Sequence, residues 1–267
     1  MKKSFPLATE SIYQFLSLVF AVIMVHAVYV GVIRPKAGAF LEAQAAMMKS
    51  DPSHVIPTSA YVMLQDYEQE TCFILMVWAL AIIGYKGIKT IRNRTLLNTD
   101  LIPAAEGMRI LPEDAHDLSR QIQALPPGRR DSLLPRALLA GLQRFSLTRS
   151  IQAVSEATRA YCAAEGERLD SELSMIRYIA WAVPSVGFLG TVRGIGEALG
   201  HAHKALEGDI FDVTRSLGIA FNSTLIALLI SLLIMFFIHQ LQLVQERYVL
   251  DTEAYCEENL TRRLHVP

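Results

Sequence analysis

The side chains best suited to handling an ion lie inside two apolar stretches. Residues 175 to 200, MIRYIAWAVPSVGFLGTVRGIGEALG, are long enough to cross a bilayer, yet they include Thr191, Arg193 and Glu197. Residues 217 to 238, LGIAFNSTLIALLISLLIMFFI, are interrupted by Asn222, Ser223 and Thr224 in succession. A threonine hydroxyl does not ionise near neutral pH, but it donates and accepts hydrogen bonds, so it orders water or an acid supplied from elsewhere. The same hydroxyls also serve plain contact between membrane helices, where each bond contributes about 0.6–2 kcal/mol. Both uses fit the residues alone. A charge at membrane depth costs about 3 kcal/mol on insertion scales, so Arg193 and Glu197 must face a partner, a water-filled path or the interface. They are four apart and can pair, although arginine preceding glutamate is the less favourable order.

Helix geometry sorts these residues by face. At about 100° per residue, Pro184, Gly187 and Thr191 share one stripe, and Arg193 points about 200° away from Thr191. Gly187, Gly190 and Gly194, with Gly196 and Gly200 after them, leave gaps along the same span. A lipid-facing helix gains nothing from missing side chains, whereas small residues let a neighbouring helix approach closely. The span therefore reads as the wall of a multi-helix assembly, with the glycines as its packing surface.

The rest of the chain must hold these two spans. Of its 267 residues 52% are hydrophobic and 19% charged, which predicts several membrane spans and not a soluble domain. A net charge of -1 gives no reason to expect nucleic acid. The pattern divides into a first membrane helix within 1–33, an extramembrane segment at 34–70, a second membrane helix at 71–88, a polar helical section at 89–174, the third and fourth membrane helices within 175–240, and a helical tail at 241–267. Two lysines ahead of the first apolar run resemble a signal peptide. The run is longer than about 20 residues and lacks a small-x-small cleavage site in the usual place, so the first span is expected to be retained. In 34–70, AFLEAQAAMM predicts a short helix, and Pro52 and Pro57 mark breaks. From 131 to about 174 one helical pattern brings Leu138, Leu142, Phe145, Ile151, Val154, Ala157 and Tyr161 to recurring three- and four-residue spacings. The tail is expected to continue the fourth helix, with Leu241, Val244, Tyr248 and Tyr255 toward the 131–174 helix or a neighbouring subunit. The expected class is an all-α polytopic membrane protein with four transmembrane helices and extended cytoplasmic helices. Lysine and arginine number three in 34–70 (Arg34, Lys36, Lys49) and fourteen in 86–177, which assigns both termini and the central section to the cytoplasm.

Other candidates for chemistry are weaker. His26 stands alone near the centre of the first span and reads as a packed, hydrogen-bonded residue ahead of a proton relay. Trp78 is too deep in the second span for an interfacial belt and is expected to pack between helices. His201 and His203, near Glu207 and Asp209, lack the spacing of a dedicated metal site, so no metal or other cofactor is expected. Cys72, Cys162 and Cys256 are scattered and show neither a disulfide framework nor metal-ligand spacing. No nucleophile elbow, zinc-protease, P-loop or dinucleotide pattern is present, and an enzyme is not expected.

Two motifs carry a resemblance. Pro184 to Gly194, PSVGFLGTVRG, followed after a short acidic loop by Ala220 to Leu228, AFNSTLIAL, resembles the MotA/TolQ/ExbB proton-channel family, mainly over 175–240. The resemblance implies a bacterial inner-membrane, channel-forming subunit that uses proton-motive force to drive a motor. It implies a homopentamer around two copies of a single-span partner similar to ExbD, TolR or MotB, whose essential aspartate takes up and releases protons. It places Thr191 and Thr224 at the channel and Pro184 near the inner part of the third span. Arg193 stands where the family often has a large uncharged residue, Ile219 where some members carry glutamate, and Ala227 where glycine is common. Arg193, Glu197, Asn222 and Ser223 are then polar or ion-paired contacts beside the channel. A non-conducting oligomeric scaffold or sensor with the same fold is the alternative reading.

Overall fold

The computed structural model describes residues 6–50, 57, 59–102, 109–206 and 210–266. The expected break at Pro52, and Glu207 and Asp209, lie outside these residues. The elements are almost all helical: α1 (Pro6–Val28), α2 (Arg34–Ser50), α3 (Ala60–Leu64), α4 (Tyr67–Arg94), α5 (Asp114–Gln123), α6 (Pro127–Arg130), α7 (Leu133–Thr148), α8 (Ile151–Ser171), α9 (Ser174–Gly200), α10 (Ala202–Leu206) and α11 (Phe211–Asn259). Among the described residues, one isolated parallel bridge, Ile110 with Leu264, is all the β structure. The runs Glu10–Gln44, Tyr67–Asn98, Ile151–Gly200 and Phe211–Arg263 each contain a window long and apolar enough to cross a membrane. The chain is an all-α, multi-pass membrane protein.

Local chemistry explains where the helices bend or stop. α1 passes into α2 through a π-helical segment, Tyr29–Ile33, without a break. Pro35 lacks the N–H that would bond the carbonyl of Gly31, and a wider turn absorbs that loss. The short helix expected at 39–48 is thus part of a 17-residue helix running directly on from the first span. Asp66 precedes α4, its carbonyl accepts the Glu70 amide at 3.2 Å, and Glu68 and Glu70 lie in the first turn, where acidic groups favour the positive end of the helix dipole. The single helical pattern expected from 131 to 174 is two helices. Arg149 takes a left-handed conformation (φ 51°) after α7, and the Ser150 hydroxyl caps α8 by accepting from the Ala153 amide. Ile151 consequently sits at an exposed helix start, and the buried stripe of α8 is Val154, Thr158 and Cys162.

The chain forms two compact units. The first comprises residues 1–83 and 175–238. In it α1 is tied to α4 by Tyr13, which donates to the Ala81 carbonyl at 3.1 Å, and by Trp78, which donates to the Gln14 carbonyl at 2.9 Å. Trp78 is thereby a packed residue, as its depth predicts. Phe15, Phe20, Ile23, Phe188, Leu189, Leu232 and Phe236 are exposed on helices of this unit. In water such a surface would be costly, and in lipid it is not.

The second unit comprises residues 84–174 and 239–267. Its core joins Leu134, Leu138, Leu142 and Phe145 of α7 with Val154 and Cys162 of α8 and with Tyr248, Cys256 and Leu260 of the chain's end. Buried positions 241, 245, 248, 252 and 256 recur every three or four residues along the α11 tail. The tail therefore packs on the 131–174 section of its own chain. Gly141 is needed at this contact, because a Cβ there would lie 2.8 Å from Leu260 Cδ2 and 2.9 Å from Thr158 Cγ2. The Leu133 amide, an orphan donor at the start of α7, is satisfied by the Tyr248 hydroxyl at 3.3 Å.

Replacing Tyr248 with phenylalanine leaves that buried amide unpaired, and is expected to lower stability by about 1–3 kcal/mol. Thermal unfolding in detergent checks this; an unchanged midpoint would show that the amide has another acceptor.

Candidate ion-handling site

The site begins with a missing hydrogen bond. Pro184 lies inside α9 and has no N–H for the carbonyl of Ala180, one turn earlier. Ser231 of α11 takes that carbonyl instead, donating to it at 3.0 Å. The proline thus leaves an acceptor on α9 that α11 fills.

Outward from Pro184 in sequence, the glycines set how closely the two helices run. A Cβ on Gly187 would collide with Ala227 and stand 3.1 Å from the Ser223 carbonyl oxygen and 3.3 Å from Thr224 Cα. On Gly190 it would be 2.6 Å from Ser223 Cβ, and on Gly194 2.8 Å from both Ala220 Cβ and the Ser216 carbonyl oxygen. As α9 numbers rise the α11 numbers fall, so the helices are antiparallel. Backbone atoms are among the neighbours and cannot swing aside. Gly196, in contrast, has open space around it.

This close approach brings Thr191 to Thr224. Their hydroxyl oxygens are in direct hydrogen-bond contact. Thr191 also reaches the Ala220 carbonyl at 3.1 Å and the Gly187 carbonyl at 3.4 Å, and Thr224 reaches the Gly187 carbonyl at 3.2 Å. Each hydroxyl has one proton. The pair can run Thr191 to Thr224 to the Gly187 carbonyl, or Thr224 to Thr191 to the Ala220 carbonyl. Either direction places both protons inside the seam and leaves lone pairs as what the threonines offer. Both residues are half-buried. Ser223 is buried and donates to the Ile219 carbonyl at 2.9 Å, and Asn222 is half-buried.

Charged groups gather at the first turn of α4. Arg193 does pair with Glu197, at 3.1 Å, but its main partner is Glu68, which accepts from two guanidinium nitrogens at 2.7 and 2.9 Å. Asp66 stands 3.7 Å from the same guanidinium. The spacing of Arg193 and Glu197 on one helix reveals only the local pair; nothing in the sequence marks Glu68 as the distant one. Asp66 lies ahead of the membrane-spanning part of α4. Burial pushes its carboxyl above the usual range, against the opposite pull of Arg193. Gln69 is fully buried and donates to the Met63 carbonyl at 3.1 Å and to Ser223 Oγ at 3.3 Å.

A second polar group lies between the first two spans. The nearly buried Glu70 carboxylate meets His26 Nδ1 at 2.6 Å through one oxygen and the Arg34 guanidinium through the other. Arg34 also lies over the Tyr67 ring, 4.3 Å from its centroid. His26 is thus hydrogen-bonded, to a residue 44 positions away that its own span gives no sign of. His203 contacts the Gly200 carbonyl at 3.2 Å, and no metal-binding group occurs among the described residues. Cys72 is buried with its thiol directed at the Val183 carbonyl.

A family model described as the MotA/TolQ/ExbB proton channel family matches residues 129–254. That stretch of the chain is similar to the family. The matched stretch takes in α7 to α10 and most of α11, and so contains Pro184, the three seam glycines, Thr191 and Thr224. No match was found in comparisons with curated proteins or with solved structures. Two departures from the MotA/TolQ/ExbB pattern have a physical counterpart. Arg193 is neutralised by Glu68 of α4, and Ala227 is the side chain that fills the gap at Gly187.

Gly187→Val is expected to cost about 1–3 kcal/mol or more, as overpacking does, because backbone atoms block its side chain. Gly196→Ala is expected to be neutral. Thermal stability of the two variants in the same detergent tests the seam; equal stability would contradict it.

Proposed function

We propose that the chain is the channel-forming subunit of a proton-driven motor in a bacterial inner membrane. In this reading it assembles as a homopentamer around two single-span partner helices, each bringing an aspartate. Residues 175–240 form the ion path, 89–174 and 241–267 are cytoplasmic, and 34–70 lies outside. The family match over residues 129–254 supports the channel. The observation that carries the site is the Thr191–Thr224 contact, where two hydroxyls on facing helices have spent their protons internally.

The chemistry follows from that proton count. A carboxylate docked beside these threonines finds acceptors, which do not stabilise its charge. A protonated carboxyl finds lone pairs for its O–H. Hydrogen bonding to the neutral form raises the acid's affinity for a proton. The threonines would therefore favour the loaded state of the partner's aspartate, and its release would require movement away from them. The transmembrane potential supplies about 2.3 kcal/mol per charge per 100 mV to bias that movement. The role of Pro184 is to leave the Ala180 carbonyl for Ser231, which holds α9 and α11 in register below the threonines.

Thr191→Val keeps the shape and removes the hydroxyl. In proteoliposomes holding the intact complex with its partner, proton flux is expected to fall about 100-fold, the scale of losing a positioned proton-transfer group. Unchanged flux in an assembled complex would favour the scaffold reading, in which the threonines serve only contact between helices.

A further inference from the structure

We propose that Asp66 loads this ion path with protons at the end of the membrane helices where α4 begins, and that Gln69 and Ser223 lead from it toward Thr224 and Thr191. The inference rests on the channel reading above and extends it to groups on α4, outside the matched residues 129–254.

The first observation is an unanswered oxygen. Asp66 Oδ2 is buried and has no hydrogen-bond partner among the described residues. Its other oxygen stands 3.7 Å from Arg193, too far for a hydrogen bond. Arg193 is occupied elsewhere, by both Glu68 oxygens and by Glu197. Protonating Asp66 therefore breaks no short ion pair. Burial is the largest influence on it; Glu68 from α4 and Glu197 from α9 also lift its affinity for a proton, and Arg193 from α9 and Arg215 from α11 lower it. Glu70, the other acid on this turn, is held by His26 and Arg34.

The second observation is independent of the first. Gln69, one helical turn on, is fully buried, and its amide orientation is fixed because Nε2 must face the Met63 carbonyl. That leaves Oε1 buried and without a donor. A buried carbonyl with no donor is unfavourable, so the position is suited to a visiting O–H. Nε2 also reaches Ser223, next to Thr224 in the chain. A Cβ on Gly190 would touch Ser223 Oγ at 2.7 Å and Glu68 Cγ at 3.1 Å, so the first turn of α4 meets the seam there. Gln69, on the first turn of α4 that Asp66 precedes, thus links α4 to Ser223, the chain neighbour of Thr224.

The step is a proton exchange. A hydronium at the mouth gives its proton to the Asp66 carboxylate and leaves as water. The Asp66 O–H then yields that proton toward the carboxylate docked at the threonines, which becomes neutral, and Asp66 returns to its ionised form.

The test uses the whole complex in proteoliposomes, with interior pH fixed and exterior pH varied, for wild type, Asp66→Asn and Asp66→Glu. Infrared difference spectra on the same samples follow protonated carboxyl groups. Asp66→Asn is expected to assemble, to lose about 100-fold in flux, and to lose one titrating carboxyl band. Asp66→Glu is expected to conduct with a shifted pH midpoint, a response that a merely structural role would not give. Asp66→Asn with wild-type flux and pH profile overturns the role of Asp66 while leaving the channel standing. A wild-type complex without proton flux overturns both.

Discussion

The arrangement depends on how closely α9 can lie against α11. Three glycines on one helix, at 187, 190 and 194, meet Ala227, Ser223, Thr224, Ala220 and Ser216 on the other, and the backbones come near enough for side chains to reach main-chain carbonyls across the gap. Water is absent at membrane depth, so dispersion and interhelical hydrogen bonds hold such a contact, and both need proximity. Pro184 adds to it by exposing one carbonyl that α11 satisfies. The threonine pair follows from this closeness, since a single added methyl group at Gly187 would collide with Ala227 and push the helices apart.

The second constraint is that ionisable groups in an apolar setting need partners. Arg193 has three acidic neighbours, Glu70 has a histidine and an arginine, and in the other unit the buried Lys86 has Glu172 at 2.9 Å. Glu70 and Lys86 are the buried members, whereas Arg193 and Glu197 are partly exposed. Removing the partners of Glu70 or Lys86 leaves an uncompensated charge in a poor solvent, which costs several kcal/mol. The polar groups of the spans therefore restrict how the helices can be arranged as much as the apolar ones do.

Sequence periodicity and composition are enough to expect four spans, an all-α fold, a tail that continues the last helix, and glycines that pack. These properties are local: they depend on residues a few positions apart. The motif from Pro184 to Gly194 also points to the family that the comparison supports. What periodicity does not reveal is which distant residues meet. Glu68 lies 125 positions from Arg193, and Ser231 lies 51 from the carbonyl it serves. Ser150 and Arg149 end one helix and start another where hydrophobic spacing reads straight through, because a left-handed residue leaves no mark on that spacing. The π-helical turn before Pro35 is likewise hidden by an apolar run that suits any helix.

The most direct measurement of the central claim is a cryo-EM structure of the chain co-assembled with its single-span partner in lipid nanodiscs. The expected result is the partner's carboxyl group within hydrogen-bond reach of Thr191 or Thr224, with the α9–α11 seam facing a central helix. A structure in which both threonines face only helices of this chain or lipid, with no acid nearby, would contradict the account.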